Sequence, residues 1–234
     1  MIPVLILAGG AGTRLRNVIG DDTPKPMANI SDKPFLWWLI SYLEKQGVRE
    51  VYLSVGYKKE KIIDFFGSKY KSVIIKYIIE EEPLGTGGAI KVAADLIGED
   101  FIVINGDTFS LVNLESLIEL SMQTQADLSI ALTKCLPETR YGKVKLDSQG
   151  NVTSFIEKSE NQSDLGCINA GVYFVSHKIK DHFPKEKKFS FEKDFLEINL
   201  KELNIRGLCI VEDFIDIGVP EDYFKCLDFF NRKK

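Results

Sequence analysis

The sequence lacks the features that mark proteins bound to membranes or to nucleic acids. None of its apolar runs approaches the about 18 residues of a membrane-spanning helix, and no charged segment followed by an apolar core opens the chain. Its 30 lysines and arginines are outnumbered by 34 acidic residues, so there is no basic excess to neutralise a phosphate backbone. We therefore expect a cytoplasmic protein with no membrane and no nucleic acid among its partners.

Cysteine and histidine are also scarce, which limits the chemistry available to the chain. The four cysteines lie far apart, without a CxxC pair, at Cys135, Cys167, Cys209 and Cys226. This spacing predicts reduced, mostly buried side chains rather than zinc ligands or disulfide bridges. The two histidines, His177 and His182, fall in a predicted surface helix, so neither is expected to act as a general base.

The residues that are abundant predict a large α/β domain. Apolar residues make up 44% of the chain, which is enough to fill one sizeable core. Strand and helix patterns alternate over roughly the first hundred residues, which predicts right-handed βαβ units and a parallel sheet. Strand patterns at residues 142–146 and 152–156, joined by a tight turn, predict antiparallel pairing. The expected fold is therefore Rossmann-like, a three-layer α/β/α arrangement with a mostly parallel central sheet and a small antiparallel subregion.

The most informative segment starts with the buried strand pattern Val4–Leu7 and continues into a loop of small residues. Glycines let a backbone close around a phosphate chain, with its N–H groups pointing inward as an anion nest. Arg14 supplies a permanent charge, and Lys25 supplies a second one between two prolines that keep the segment stiff. The pattern predicts a triphosphate site formed by Leu7, Ala8, Gly9, Gly10, Ala11, Gly12, Thr13, Arg14 and Lys25.

Two commoner phosphate-binding motifs do not fit this loop. A Walker A loop requires a Gly-Lys pair, and none follows Gly9 or Gly10 at the required spacing. The dinucleotide fingerprint GxGxxG begins at Gly10 and Gly12, but Leu15 occupies the position of its third glycine. A nicotinamide-dependent dehydrogenase is therefore disfavoured.

Two aspartates are candidates for holding a divalent metal ion. Asp107 follows an apolar strand pattern, and ligands of open parallel sheets bind at the carboxyl ends of the strands. Beside a polyphosphate, a carboxylate in this position can hold Mg²⁺ together with phosphate oxygens. Asp216 lies between Ile215 and Ile217, so a buried charge there needs a cation or hydrogen-bond donors.

The segments LAGGAGTRL, PKPM and DIGVPED resemble the signature of the sugar-1-phosphate nucleotidyltransferases. The resemblance assigns the metal-binding aspartates of that family to Asp107 and Asp216. It assigns further nucleotide contacts to a second glycine-rich loop and to the Gly-Asp step, at Glu80, Pro83, Gly85, Thr86, Gly106 and Asp107. It assigns sugar-phosphate contacts to Tyr141, Gly142, Glu157, Lys158, Asn169 and Asp216. It also implies one domain, 1–234, in which residues 1–125 bind the nucleotide and 126–234 bind mainly the sugar phosphate.

The same resemblance implies a reaction. An oxygen of a sugar 1-phosphate attacks the α-phosphorus of a nucleoside triphosphate, and pyrophosphate leaves. Such a transfer depends on positioning and on neutralisation of charge, so no general base is required. Arg14 would bind the β- and γ-phosphates, Lys25 the α-phosphate, and Lys158 the incoming phosphate. Asp107 and Asp216 would hold Mg²⁺ between the two substrates.

The residue at position 80 bears on which nucleotide is used. A carboxylate only accepts hydrogen bonds, which suits the adjacent N1–H and N2–H₂ donors of guanine better than a pyrimidine. Alternatively, Glu80 points to solvent, and Glu81 or a backbone carbonyl reads the base. Over the whole chain the segments resemble bacterial members of the family that join GTP to D-glycero-α-D-manno-heptose 1-phosphate, giving GDP-heptose for capsule or lipopolysaccharide. Mannose 1-phosphate as the acceptor stays open, as does uridylyl or thymidylyl transfer to a hexose 1-phosphate.

Functions outside this class match the sequence less well. A glycosyltransferase usually carries Asp-x-Asp for its metal, whereas Phe109 stands two residues after Asp107. A non-catalytic nucleotide-binding regulator is expected to have lost the charged residues of its site, and this chain retains them. The sequence leaves a homodimer open.

Overall fold

A computed structural model describes residues 2–134, 143–156 and 166–232 of the chain. It contains two compact units, each assembled from separate stretches of sequence. The first unit consists of Met1–Leu84, Ile104–Phe109 and Ile215–Lys234, and the second of Gly85–Val103 and Ser110–Phe214. The expected division at residue 125 concerns what each part binds, and it stays a prediction.

Strands and helices are both distributed along the described chain. The strands are β1 (Val4–Leu7), β2 (Asn29–Ile30), β3 (Lys33–Pro34), β4 (Glu50–Val55), β5 (Lys69–Tyr70), β6 (Val73–Ile79), β7 (Phe101–Asn105), β8 (Thr108–Ser110), β9 (Leu128–Lys134), β10 (Lys143–Leu146), β11 (Val152–Ile156), β12 (Cys167–Val175), β13 (Ile205–Val211) and β14 (Phe214–Asp216). The α-helices are α1 (Arg16–Ile19), α2 (Phe35–Lys45), α3 (Lys59–Phe66), α4 (Gly85–Ile97), α5 (Leu114–Gln123), α6 (Glu197–Asn199) and α7 (Pro220–Arg232). Short 3₁₀-helices cover Thr13–Leu15, Lys25–Met27 and His177–His182, and a π-helix covers Glu192–Leu196.

The first unit has a parallel arrangement of β1, β4 and β6, as the alternating patterns predicted. In its register Val4 lies opposite Val51, and Val51 lies opposite Ile75. All three side chains are buried. Strands β1 and β4 are buried along most of their length, whereas β6 alternates buried residues with exposed ones such as Ile74 and Lys76, as a strand with one open face does. The short strand β5 adds antiparallel pairing to β6.

The second unit contains the antiparallel subregion. Strand β9 pairs antiparallel with β12 and parallel with β13, while β10 pairs antiparallel with β11 and β12. The predicted turn joins β10 to β11, and its Asp147 side chain accepts hydrogen bonds from the N–H groups of Gln149 and Asn151. Strand β13 was not predicted, since Arg206 and Gly207 interrupt its apolar pattern.

The predicted fold class is confirmed. The protein is a mixed α/β fold with a large, mostly parallel central sheet and smaller antiparallel sheets. Among the described residues, no helix is long and apolar enough to cross a membrane.

The prediction that the cysteines are reduced is wrong for one pair. Cys167 in β12 and Cys209 in β13 form a disulfide across a sequence separation of 42. Both strands pair with β9, which brings the two side chains together in a way that sequence spacing cannot reveal. Cys226 is free and buried, as expected, and burial raises the pKa of its thiol to about 12. Cys135 lies outside the described residues.

Candidate active site

The first glycine-rich loop follows β1 and is held by the backbones around it. The N–H of Ala8 donates to the carbonyl of Ser54 at 2.8 Å, and the N–H of Gly106 donates to the carbonyl of Leu7 at 3.0 Å. Gly12 adopts a left-handed conformation, with φ of 57° and ψ of 34°, which glycine tolerates without strain. The loop therefore makes the turn that its composition predicted.

This loop encloses a cavity of about 200 Å³ in the first unit. The cavity is lined by Leu7, Ala8, Gly10, Gly12, Thr13, Arg14, Lys25, Pro26, Gly106, Asp107 and Gly218. All of these except Pro26 and Gly218 were predicted to bind nucleotide. The predicted residues Gly9 and Ala11 belong to the same loop but do not line the cavity.

Lys25 lies at the centre of the charged part of this cavity. Its side chain is only 9% exposed, and its ammonium group lies 2.7 Å from Oδ2 of Asp107 and 3.9 Å from Oδ1 of Asp216. A buried ammonium needs opposite charge nearby to offset its desolvation, and the two carboxylates supply it. The structure therefore brings together three charged residues that lie 82 and more positions apart in sequence.

The two carboxylates are held in fixed orientations. The N–H of Ile217 donates to the carbonyl of Asp107, so the two acidic segments are directly hydrogen-bonded. The hydroxyl of Thr108 donates to Oδ1 of Asp107, and the N–H of Gly218 donates to Oδ1 of Asp216 at 2.6 Å. Two oriented carboxylates close to each other are a donor set that fits a hard divalent cation. Three or more metal-binding side chains do not cluster anywhere in the described residues, so phosphate oxygens or water would have to complete the coordination.

Arg14 differs from Lys25 in its exposure and in its contacts. Its side chain is exposed at the rim of the cavity. Within residues 2–134, 143–156 and 166–232 it has no hydrogen-bond or ion-pair partner. Its guanidinium is therefore available to an anion entering from solvent.

Glu80 lies beside the first loop, where Ser54 and Leu84 hold its carboxylate. The hydroxyl of Ser54 donates to Oε1 at 2.7 Å, and the N–H of Leu84 donates to Oε2 at 3.2 Å. A Cβ atom added to Gly9 would overlap Oε1 of Glu80, so a larger residue there would require this carboxylate to move. Each carboxylate oxygen keeps acceptor capacity beyond these single hydrogen bonds. The sequence analysis missed Ser54, although a serine in the apolar strand β4 was a visible signal.

The second glycine-rich loop divides between the two units. Glu80 and the exposed Pro83 belong to the first unit, whereas Gly85 and Thr86 begin helix α4 in the second. There the hydroxyl of Thr86 donates to Oε2 of Glu192 and accepts a hydrogen bond from the N–H of Phe191. The hydrogen bonds of Thr86 are therefore made to the protein itself.

The predicted sugar-side residue Asn169 lies in β12, in the second unit. Its amide donates to the hydroxyl of Tyr173 at 2.7 Å and accepts from the N–H of Gly171 at 3.0 Å. The other predicted sugar-phosphate residues (Tyr141, Gly142, Glu157 and Lys158) lie outside the described residues.

Comparison with known proteins identifies the family. The family model described as nucleotidyl transferase matches residues 3–233, which is almost the whole chain. The chain belongs to the nucleotidyl transferase family. This confirms the resemblance drawn from the glycine-rich loop and the two aspartate segments.

Several relatives of this nucleotidyl transferase have established names. It is 46% identical to the D-glycero-alpha-D-manno-heptose 1-phosphate guanylyltransferase of Campylobacter jejuni, over 95% of this chain and 97% of that one. It is 45% identical to the enzyme of the same name from Aneurinibacillus thermoaerophilus, over 94% and 95% of the two chains. The crystal structure of HddC from Yersinia pseudotuberculosis complexed with GMP-PN is 45% identical and superposes with a TM-score of 0.85, covering 98% of this chain and all of that one.

Proposed function

We propose that this nucleotidyl transferase joins GTP to D-glycero-α-D-manno-heptose 1-phosphate, giving GDP-heptose and pyrophosphate. The observation that carries the proposal is 45–46% identity, over nearly the full length of both chains, to two enzymes named for this reaction. The grouping of Lys25, Asp107 and Asp216 at a glycine-rich loop supports the same chemistry. We further propose that the reaction takes place in the cytoplasm and that its product serves capsule or lipopolysaccharide synthesis; a homodimer stays a prediction.

The charged residues suggest how the transfer proceeds. An oxygen of the sugar 1-phosphate attacks the α-phosphorus, the bond from that phosphorus to the bridging oxygen breaks, and pyrophosphate leaves with the electron pair. Lys25 neutralises charge that develops on the α-phosphate, and Arg14 with the loop N–H groups binds the departing pyrophosphate. No proton has to be removed from an already ionised phosphate, so no general base is needed.

Asp107 and Asp216 are proposed to hold Mg²⁺. Both carboxylates lie within 4 Å of the ammonium group of Lys25, so they already share one cation and are close enough together to share a metal ion. When bound, the ion would supply positive charge to the phosphate oxygens of the two substrates. Asp107 and Asp216 would hold the ion, and the ammonium of Lys25 would supply its own positive charge to the α-phosphate.

Glu80 is proposed to read the guanine base. With Ser54 and Leu84 each donating one hydrogen bond, the two carboxylate oxygens can accept one more each. Guanine presents N1–H and N2–H₂ side by side and so matches this pair of acceptors. Alternatively, Glu80 only stabilises the loop and Glu81 reads the base. In that case, substitution of Glu81 changes the base preference and substitution of Glu80 does not.

The sugar half of the proposal rests on the family resemblance. Tyr141, Gly142, Glu157 and Lys158 are proposed to bind the sugar phosphate, with Lys158 neutralising its charge. Asn169 is proposed to contact the sugar, and its amide orientation is fixed by Tyr173 and Gly171. Gly85 and Thr86 are proposed to lie at the edge of the nucleotide site.

A substrate panel tests the reaction. The purified protein is given Mg²⁺, one of GTP, ATP, UTP or dTTP, and either heptose 1-phosphate, mannose 1-phosphate or glucose 1-phosphate, and pyrophosphate release is measured. We expect the largest kcat/KM with GTP and heptose 1-phosphate, and no release when EDTA replaces Mg²⁺. A preference for UTP or dTTP would overturn the base assignment, and a preference for mannose 1-phosphate would favour the second guanylyl candidate. That candidate is supported by 32% identity to the mannose-1-phosphate guanylyltransferase of Mycobacterium tuberculosis.

Glu80→Gln tests the proposed reader of the base. The amide turns one acceptor into a donor, so we expect GTP to lose its advantage over UTP and dTTP by roughly tenfold or more. Glu81→Gln is the matched control, because Glu81 is exposed and paired with Lys59 at the surface. A changed base preference in Glu81→Gln, with Glu80→Gln unchanged, would transfer the role to Glu81.

A further inference from the structure

Glu192 is a part-buried carboxylate in the second unit that sequence analysis did not single out. Its Oε1 accepts a hydrogen bond from the hydroxyl of Tyr173 at 3.0 Å. Its Oε2 accepts from the hydroxyls of Thr86 at 3.2 Å and Ser190 at 3.3 Å. Three hydroxyl donors thus converge on one side chain, which starts the π-helix Glu192–Leu196. Irregular helical turns of this kind are frequent at functional sites.

One side of this carboxylate anchors the second glycine-rich loop. Besides donating to Glu192, Thr86 accepts a hydrogen bond from the N–H of Phe191 at 2.8 Å, and the N–H of Gly87 donates to the carbonyl of Phe189 at 3.0 Å. Gly85 has a φ of 70°, and a Cβ added to it would lie 2.5 Å from that same carbonyl. The segment that carries Glu192 therefore sets the position of the loop start.

The other side of the carboxylate orients Asn169. Tyr173 is 1% exposed, so its hydroxyl must be satisfied inside the protein. It donates to Glu192 and accepts from the amide of Asn169 at 2.7 Å. Since the amide oxygen of Asn169 accepts from Gly171, the whole side chain is held in one orientation.

We propose that Glu192 is a positioning residue that sets both the nucleotide loop, through Thr86, and the sugar-contacting amide, through Tyr173. The inference rests on the proposed function, because it assigns Thr86 to the nucleotide and Asn169 to the sugar. Glu192 itself is not assigned a contact with either substrate. A carboxylate can accept from hydroxyls on both of its oxygens at once, whereas an amide has only one accepting oxygen, so Glu192→Gln cannot keep all of these contacts.

Three variants separate the two sides of the carboxylate. Thr86→Val removes one hydroxyl at nearly constant volume, and we expect the KM for GTP to rise while the KM for heptose 1-phosphate stays the same. Tyr173→Phe removes the other hydroxyl, and we expect the opposite pattern. Glu192→Gln should raise both KM values roughly tenfold, with a smaller change in kcat. Glu197→Gln is the matched control, since Glu197 lies exposed on the same segment.

The outcomes are read together with thermal unfolding of each variant. A role in folding alone would lower the melting temperature without separating the two KM values, and this result would overturn the inference. So would a Glu192→Gln enzyme with the kinetics of Glu197→Gln. If Glu192→Gln does not fold, the KM values of Thr86→Val and Tyr173→Phe still test the proposal. The proposal is refuted if both variants raise the same KM values or if neither variant changes them. An unmodified protein that fails to form GDP-heptose refutes instead the proposed function.

Discussion

The two glycine-rich loops have similar compositions, but their glycines are there for different reasons. In the first loop, a Cβ added to Gly10 would meet no atom within 4 Å, so the space beside it is open. In the second loop, a Cβ added to Gly87 would overlap the ring of Phe189, which is itself buried. The space beside Gly10 is open, whereas the space beside Gly87 is filled by another side chain of the protein. A glycine-rich sequence therefore predicts that another group can come close to the backbone, but it does not indicate whether that group is a ligand or a side chain of the protein.

The charged residues beside the two loops differ in the same way. At the first loop, Lys25 and Asp107 line a cavity, and Asp216 lies 3.9 Å from the ammonium group of Lys25. At the second, the carboxylate of Glu192 accepts hydrogen bonds from neutral hydroxyls. We infer that the first loop acts through charge and the second through position. Variants of both loops test that difference, from the largest expected effect to the smallest.

Removing the central cation should have the largest effect. We expect Lys25→Ala to lower kcat/KM by about 10³-fold, equivalent to about 4 kcal/mol, because charge on the α-phosphate is no longer neutralised. Asp107→Asn, which keeps the shape of its side chain, should also be nearly inactive and folded. Lys61→Ala is the control, since Lys61 pairs with Asp22 at the surface. Activity of Lys25→Ala within a few-fold of the parent, with circular dichroism unchanged, would remove Lys25 from the site.

Adding a methyl group to the second loop should act on stability. We expect Gly87→Ala to lower the free energy of unfolding by about 1–3 kcal/mol, because the new Cβ forces Phe189 out of its packing. Urea denaturation measures this change. An unchanged midpoint would show that Phe189 moves aside freely and that the second loop is as open as the first.

The same methyl group in the first loop should act on activity instead. We expect Gly10→Ala to leave the free energy of unfolding unchanged, since the added Cβ meets no atom. The KM for GTP should rise about tenfold, because the methyl enters the cavity proposed for the phosphates. Gly10→Ala and Gly87→Ala are controls for each other. A lower free energy of unfolding in Gly10→Ala would contradict the proposed difference between the two loops.

The smallest expected effect is on base selectivity. Ser54→Ala removes one donor to Glu80, so we expect the ratio of kcat/KM for GTP over UTP to fall by about three- to tenfold. Ser41→Ala, in helix α2, removes another buried hydroxyl outside the site and should leave the ratio unchanged. Equal ratios in the two variants would mean that Ser54 does not orient Glu80.

The features that could be predicted are those that depend on residues close together in the sequence. The turn at Gly12, the strands β1 and β4 and the helix α5 all follow from short-range composition and periodicity. The nearness of Asp107 to the first loop followed from one general rule, that ligands gather at the carboxyl ends of parallel strands. Family resemblance supplied the predicted sugar-side residues, which the spacing of polar side chains does not indicate.

The sequence by itself determined the α/β class and the turn of the first loop, and it predicts that this loop and its charged residues bind phosphate. Only the tertiary structure decided that Lys25 lies between Asp107 and Asp216, that Ser54 holds Glu80, that Glu192 joins Thr86 to Tyr173, and that Cys167 is bonded to Cys209. The physical reason is that backbone preferences and hydrophobic periodicity act over a few residues. Contacts between distant side chains depend on strand order and register, which are set by packing of the whole chain.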